Sequence, residues 1–333
     1  MTSIFPSVIL DAMKICVRSL ILIITLFVLP SLAYSFDGPL QVKNQYPIFL
    51  HAGQPYLEKA RMENSFSASL SHSGTYTVQS SGSWLIALDM EITEVNLRYK
   101  RIIRDVVEFG LDVPVLWFSD GFMDGFLINY HDTFGFRGYG RDARPRNEFL
   151  YEIRQNDVLI IKGETGIGLG DIRLTLKKPL VSENGFNLAL KGDLELPTGN
   201  AEKGYGNGRV DAGISVLLDK NIGEFIMTYW NFGAVFPGDV SGYQKIDLKN
   251  FVYGGAAIEV DAGRNFSVLT QIQVQSSIYP ETDLKAVDRP GYLLAFGGRY
   301  DTGDDVFELS LTEDVNESAA PDFIINLSYK RRL

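Results

Sequence analysis

From Phe186 to Leu196 the chain alternates apolar Phe186, Leu188, Leu190, Leu194 and Leu196 with Asn187, Ala189, Lys191, Asp193 and Glu195. Successive side chains of a strand point to opposite faces, so this segment predicts a strand with one face in an apolar solvent and one among charges. The period recurs. Ile172, Leu174 and Leu176 alternate with Arg173, Thr175 and Lys177, and Val210 to Leu218 carries an apolar set on even positions. Phe266 to Val274 opposes Gln271, Gln273 and Gln275, and Phe307, Leu309 and Leu311 oppose Glu308, Ser310 and Thr312. A long strand with a lipid-compatible outside and an ionic inside is the pattern of a membrane-spanning β-barrel.

The connections alternate as well. Short Gly/Asn/Asp-rich turns at 182–185, 219–223, 262–265 and 302–304 are interleaved with longer polar loops at 197–208, 237–249, 279–289 and 315–321. That asymmetry is expected of the periplasmic and outer ends of an outer-membrane barrel. Strands are placed near 64–72, 84–100, 105–116, 169–180, 186–196, 208–218, 223–236, 249–261, 265–277, 290–301, 305–314 and 321–332. The fold class is therefore all-β, an antiparallel transmembrane barrel of about twelve strands. In the second strand the apolar phase passes from Leu88, Met90 and Ile92 to Val95, Leu97 and Tyr99, which predicts a bulge near Thr93–Glu94. The insert 117–168 is too long for a simple loop. Phe122, Phe126, Leu127, Tyr130, His131 and Phe134 recur at helical spacing, so 120–134 is expected as a short helix capping or plugging the outer mouth.

The N-terminus changes the picture. An apolar run from Ser19 to Leu29 follows Lys14 and Arg18 and leads to Ala33-Tyr34-Ser35, so residues 1–35 read as a cleaved signal peptide whose true start is compatible with Met13. The run is short for a membrane-spanning helix. Residues 36–63 are expected as a periplasmic N-terminal segment, and residues 64–333 as the barrel. The single cysteine, Cys16, falls in the leader, so the mature chain is expected to rely on backbone pairing rather than disulfides. With 41 acidic against 31 basic residues the net charge is −10, which argues against a nucleic-acid partner. A soluble β-sandwich is the rival fold, and it predicts strands whose apolar faces pack on one another.

Candidate chemistry is sparse. Gly166-Ile-Gly168-Leu-Gly170-Asp171 looks like a phosphate cradle, but Ile172 to Lys177 alternates as a strand where a dinucleotide fingerprint needs a helix. His51, His72 and His131 have no metal-ligand spacing, so neither a metal site nor a cofactor is expected. The insert groups Asp120, Asp124, His131, Asp132, Arg141, Asp142 and Arg144, which could do acid–base work or bind a polar ligand; a loop network holding the helix is favoured. An outer-membrane lipase or esterase would need a serine nucleophile beside a histidine, and Ser71-His72-Ser73 is the nearest approach.

The strongest candidates are the charges and amides expected in the lumen: Asp89, Glu91, Arg98, Arg173, Lys177, Lys191, Asp193, Glu195, Gln271, Gln273, Gln275, Arg299 and Glu308. Buried charges persist when paired or hydrated, and their mixed signs predict a salt-bridged interior.

Two resemblances bear on this. The last strand, with Phe323, Ile325, Leu327, Tyr329 and Leu333 in one phase, resembles the C-terminal strand that barrel-assembly machinery reads, although Arg331 stands where a hydrophobe is usual. Across the mature chain, Gly38-Pro39-Leu40 with Asn44 to Pro47, Asp120-Gly121-Phe122 through Tyr130-His131, Tyr139 to Asp142 with Arg144-Pro145, and Gly168 to Asp171 resemble an uncharacterised Gram-negative outer-membrane β-barrel family, domain of unknown function family 3187. A looser likeness to barrels of aromatic-compound uptake rests on Leu196-Pro197-Thr198-Gly199. The first family implies location and architecture without an activity. The expectation is a monomer in outer-membrane lipid, serving as a narrow channel or transporter for small solutes; the alternatives are a structural or ligand-binding barrel without transport and a lipid hydrolase.

Overall fold

The computed structural model describes residues 36–52, 55–134, 144–316 and 318–333. The leader, Arg141 and Asp142 lie outside them, and so do the side chains of His51, His131 and Asp132.

Twelve long strands close into one antiparallel barrel. They are β1 (Ser65–Ser80), β2 (Trp84–Ile103), β3 (Val107–Ser119), β4 (Ile172–Glu183), β5 (Phe186–Leu196), β6 (Asp211–Asn221), β7 (Ile226–Phe236), β8 (Phe251–Gly263), β9 (Phe266–Gln275), β10 (Gly291–Asp301), β11 (Asp305–Asp314) and β12 (Phe323–Arg332). Each pairs with its neighbours in order, and β1 closes on β12 from Ser65–Arg332 to Gly74–Phe323. Closure leaves no strand edge along the membrane-facing wall, which the absence of water in a bilayer requires.

One end carries tight turns. Arg104 and Asp105 have φ +52° and +56°, and Arg264 and Asn265 have +56° and +66°, the left-handed geometry of tight hairpin turns. The other end carries the long connections and three short additions: a ribbon of Leu150–Gln155 and Val158–Lys162 extending β2, and the segment Gly166–Leu169 beside β3. Leu97, Leu176, Leu190, Ile214, Phe232, Ile258, Phe296, Leu309 and Leu327 form an exposed apolar belt around the wall. Trp230, Phe266, Tyr300 and Phe307 edge that belt toward the short-turn end.

Three expectations fail. The β1–β2 register runs unbroken from Ser65–Lys100 to Ser80–Leu85, so there is no bulge at Thr93–Glu94. The phase change there marks a change of solvent. Even-numbered residues of β2 face inward along its length, and the inside turns from ionic at Arg98 and Lys100 to apolar at Ile86, Leu88 and Met90.

The helix of the insert, α1 (Asp124–Phe134), does not plug a mouth. It packs on the outer wall: Met123 and Leu127 bury against Phe323, and a Cβ at Gly74 would lie 3.0 Å from Leu127. Gly74 and Phe323 share the outward phase of Leu70 and Leu327, which are exposed.

Of residues 36–63, expected on the periplasmic side, the described ones, 36–52 and 55–63, lie inside the barrel. Pairing needs explain it: the segment is the counterion set for the wall, as described next.

Candidate functional site

The interior segment enters at the short-turn end, climbs to a 3₁₀ turn at Pro47–Ala52, and returns to the start of β1. At its entry Gly38 takes φ +111°, a backbone that a side chain would strain, and its N–H meets the Tyr229 hydroxyl at 3.0 Å. Near the top the Asn44 amide bridges to the Ala319 carbonyl at 2.6 Å while its oxygen accepts from Tyr46 N–H at 2.8 Å. The ascending limb is thus fixed to wall and loops by groups distant in sequence.

The lower interior is ionic. On the ascending limb Asp37 lies 2.5 Å from Lys330, 3.2 Å from Lys59 and 2.9 Å from Arg332. Arg299 reaches Glu259 at 2.6 Å, Glu308 at 2.7 Å and the Gly38 carbonyl at 2.8 Å, tying β8, β10, β11 and the segment together. Arg98 donates to both oxygens of Asp112 and to the side-chain amide oxygen of Gln41, and its guanidinium stacks 4.2 Å over the Tyr56 ring. On the descending limb Glu58 meets Lys100 at 2.6 Å, Lys191 at 3.1 Å and Lys177 at 3.8 Å. Asn231 accepts from Glu58 N–H at 2.9 Å and donates to its carbonyl at 3.0 Å. Asp219 accepts from Ala60 and Arg61 N–H. Most of these groups are buried, with Lys59 and Arg332 half-buried, so the pairs are electrostatic commitments rather than surface contacts.

The upper interior is dry. Tyr46, Ile48 and Leu50 of the segment pack with Ile86, Leu88, Leu116 and Phe118 of the wall and with Tyr151, Tyr205, Val240 and Tyr279 from the long connections. Phe118 and Tyr205 stack at 4.3 Å. The space bounded by Lys43, Asn44, Pro114, Asp171, Arg173 and Glu195 is about 20 Å³, room for a single water. Asp171, where the chain passes into β4, accepts from Gly199 and Asn207 N–H. Burial pushes its carboxyl up to about 7 despite those amides.

Most of the residues singled out from the sequence line this interior: Arg98, Arg173, Lys177, Lys191, Glu195, Gln271, Gln273, Gln275, Arg299 and Glu308 are buried on inward phases, and Asp193 lies 3.3 Å from Lys191. Gln273 donates to the Val42 carbonyl, and Arg173 pairs with Glu195 at 3.1 Å.

Asp89 and Glu91 are the exceptions. They are odd-numbered on β2, on the face of exposed Val95 and Leu97, and point out of the barrel. The insert buries them there. Arg144 donates to Asp89 at 2.8 Å, and Glu91 accepts from Phe122 and Met123 N–H at the start of α1. Asp124 accepts from Asn147 N–H, whereas Asp120 is exposed.

The Ser71-His72-Ser73 triplet forms no nucleophile–base pair. Ser71 faces in and meets Gln45; His72 faces out between Glu91 and Thr93. The residues missed from the sequence, Asp37, Tyr56, Glu58, Lys59 and Glu63, sit in a stretch without strand or helix period. Their signal is the surplus of wall charges that need partners.

A model described as a protein of unknown function, DUF3187, matches residues 16–333. The chain belongs to the DUF3187 family. No curated protein matches it by sequence. A solved outer membrane channel from Pseudomonas putida F1 is 15% identical, with 82% of the DUF3187 chain and 96% of the channel covered at a TM-score of 0.55. The NanC porin (8% identity, 80% and 100% covered, TM-score 0.47) and the Pseudomonas putida toluene transporter TodX (10%, 82% and 91%, 0.41) also align. The DUF3187 chain therefore shares a barrel fold with a solved outer-membrane channel.

Proposed function

We propose that this protein is an outer-membrane channel for small solutes, exported by a cleaved leader and held shut by its own residues 36–63. The observation that carries the reading is what fills the lumen. Wall side chains do not close it by themselves; a separate segment runs through it, packed at the long-loop end against Tyr151, Tyr205 and Tyr279 and held lower down by ion pairs and hydrogen bonds that can exchange with water or solute. Outer-membrane lipid, the barrel-assembly machinery and a monomeric state belong to the same reading, with the apolar belt as the lipid contact. A narrow pore suits twelve strands, intermediate between packed eight-stranded barrels and open porins.

The dry packing at the long-loop end favours a second reading, a permanently closed barrel that binds or displays without transport. Planar-bilayer recording decides between them. The channel reading expects the full-length protein to show rare openings that become frequent when Asn231 and Asp219 are changed to alanine, loosening the descending limb. Silent bilayers with folded protein of both kinds would sink transport.

A further inference from the structure

We propose that Lys100, Lys177 and Lys191 form a binding site for the carboxylate of a small organic acid, a site that Glu58 fills in the closed barrel. The inference rests on the channel reading and names the solute class.

The three ammonium groups come from β2, β4 and β5 and converge on one carboxylate at 2.6, 3.8 and 3.1 Å. Two wall acids share the cluster: Glu108 lies 2.9 Å from Lys177, and Asp193 lies 3.3 Å from Lys191. Among the wall groups, three cations against two anions leave one positive charge; in the closed barrel Glu58 cancels it, and Glu63 of the same segment, 3.6 Å from Lys100, withdraws with it. A monoanion fits that residue of charge; a dianion such as sulfate overshoots it.

The lysines are almost wholly buried, and a buried cation left without its partner is costly. Withdrawal of residues 55–63 therefore requires a replacement anion at this point of the lumen. Asn231, which now clamps the backbone of Glu58 from both sides, would offer a donor and an acceptor beside that anion. A solute carboxylate that competes with Glu58 both occupies the site and favours the open barrel.

The test is chemical rescue in the full-length protein. Glu58→Ala should unfold at lower temperature than wild type in chloride, and acetate at equal ionic strength should raise that midpoint by several degrees while leaving wild type unmoved. Adding Lys191→Met to Glu58→Ala should abolish the shift. Should Glu58→Ala fail to fold in chloride, folding yield restored by acetate supports the site, and equal failure in both salts overturns it. Rescue by sulfate as strong as by acetate overturns the carboxylate assignment, and a shift of equal size in wild type overturns the site. Bilayer recording separates the two layers: acetate rescue with silent bilayers keeps the site and removes the channel, whereas conduction without rescue removes the site alone.

Discussion

Lys330, three residues from the C-terminus, holds its ammonium 2.5 Å from Asp37, near the start of the interior segment. The closing strand and the segment therefore complete each other's charges, with Arg332 on the same carboxylate at 2.9 Å. Asp37→Asn should leave Lys330 with Glu63 alone, at 3.2 Å. Removing one partner of a buried pair costs about 3 kcal/mol, the low end of the usual range because Glu63 remains. Heat-modifiable migration should be lost at lower temperature and openings should become more frequent; unchanged melting would show that the pair contributes little.

Arg299 is not replaceable by another cation. Its guanidinium reaches Glu259, Glu308 and the Gly38 carbonyl at once, a forked geometry that a lysine ammonium cannot reproduce. Arg299→Met should strand two buried carboxylates and cost about 3–5 kcal/mol. Arg299→Lys should recover only part of this. Denaturant unfolding of the two variants checks the order, and equal stability of Lys and Arg would refute the role of the fork.

Asp171 gives the long-loop end a pH dependence. Burial raises its carboxyl from the usual 3.8 to about 7, so the protonated form is favoured in the folded protein. Its contribution is fully present below pH 4 and is lost as pH rises through 7, a span worth about 4 kcal/mol. The loop end that buries Asp171 should hold at pH 5.5 and open more readily at pH 8, where the cost of the buried carboxylate outweighs the two amide bonds from Gly199 and Asn207. Amide exchange in 197–208, corrected for intrinsic rates, should be faster at the higher pH, and Asp171→Asn should flatten the dependence. A wild-type profile already flat would contradict the raised value.

The barrel was legible where strands cross lipid, because the two faces of Phe186–Leu196 or Phe307–Leu311 meet different solvents throughout. It was not legible beyond the lipid. There the inside is a dry core around Ile86 and Leu88, and the outside holds the insert over Asp89 and Glu91, so polarity no longer reports direction. Pairing was hidden too. Glu58 lies 42 positions from Lys100 and 133 from Lys191, and an irregular segment announces no partner. What the sequence did contain was the requirement: mixed charges at Arg98, Lys177, Lys191 and Glu195 implied an interior with counterions, and the segment 36–63 supplies them.

The outward face of Glu91 separates the insert from the lumen, and this can be tested. Its carboxylate accepts from Phe122 N–H at 3.0 Å and Met123 N–H at 2.5 Å, and His72 lies 2.8 Å away. Gly121, with φ +80°, lets the chain pass so close that an added Cβ would fall 2.1 Å from that carboxyl carbon. Gly121→Ala and Glu91→Ala should both release the start of α1 from the wall, exposing 120–134 to protease. Neither change touches the ion pairs of residues 36–63, so bilayer activity should stay at the wild-type level while cleavage rises. A helix plugging the mouth would give the opposite result, with openings increasing in step with release, and that outcome would return the insert to the lumen.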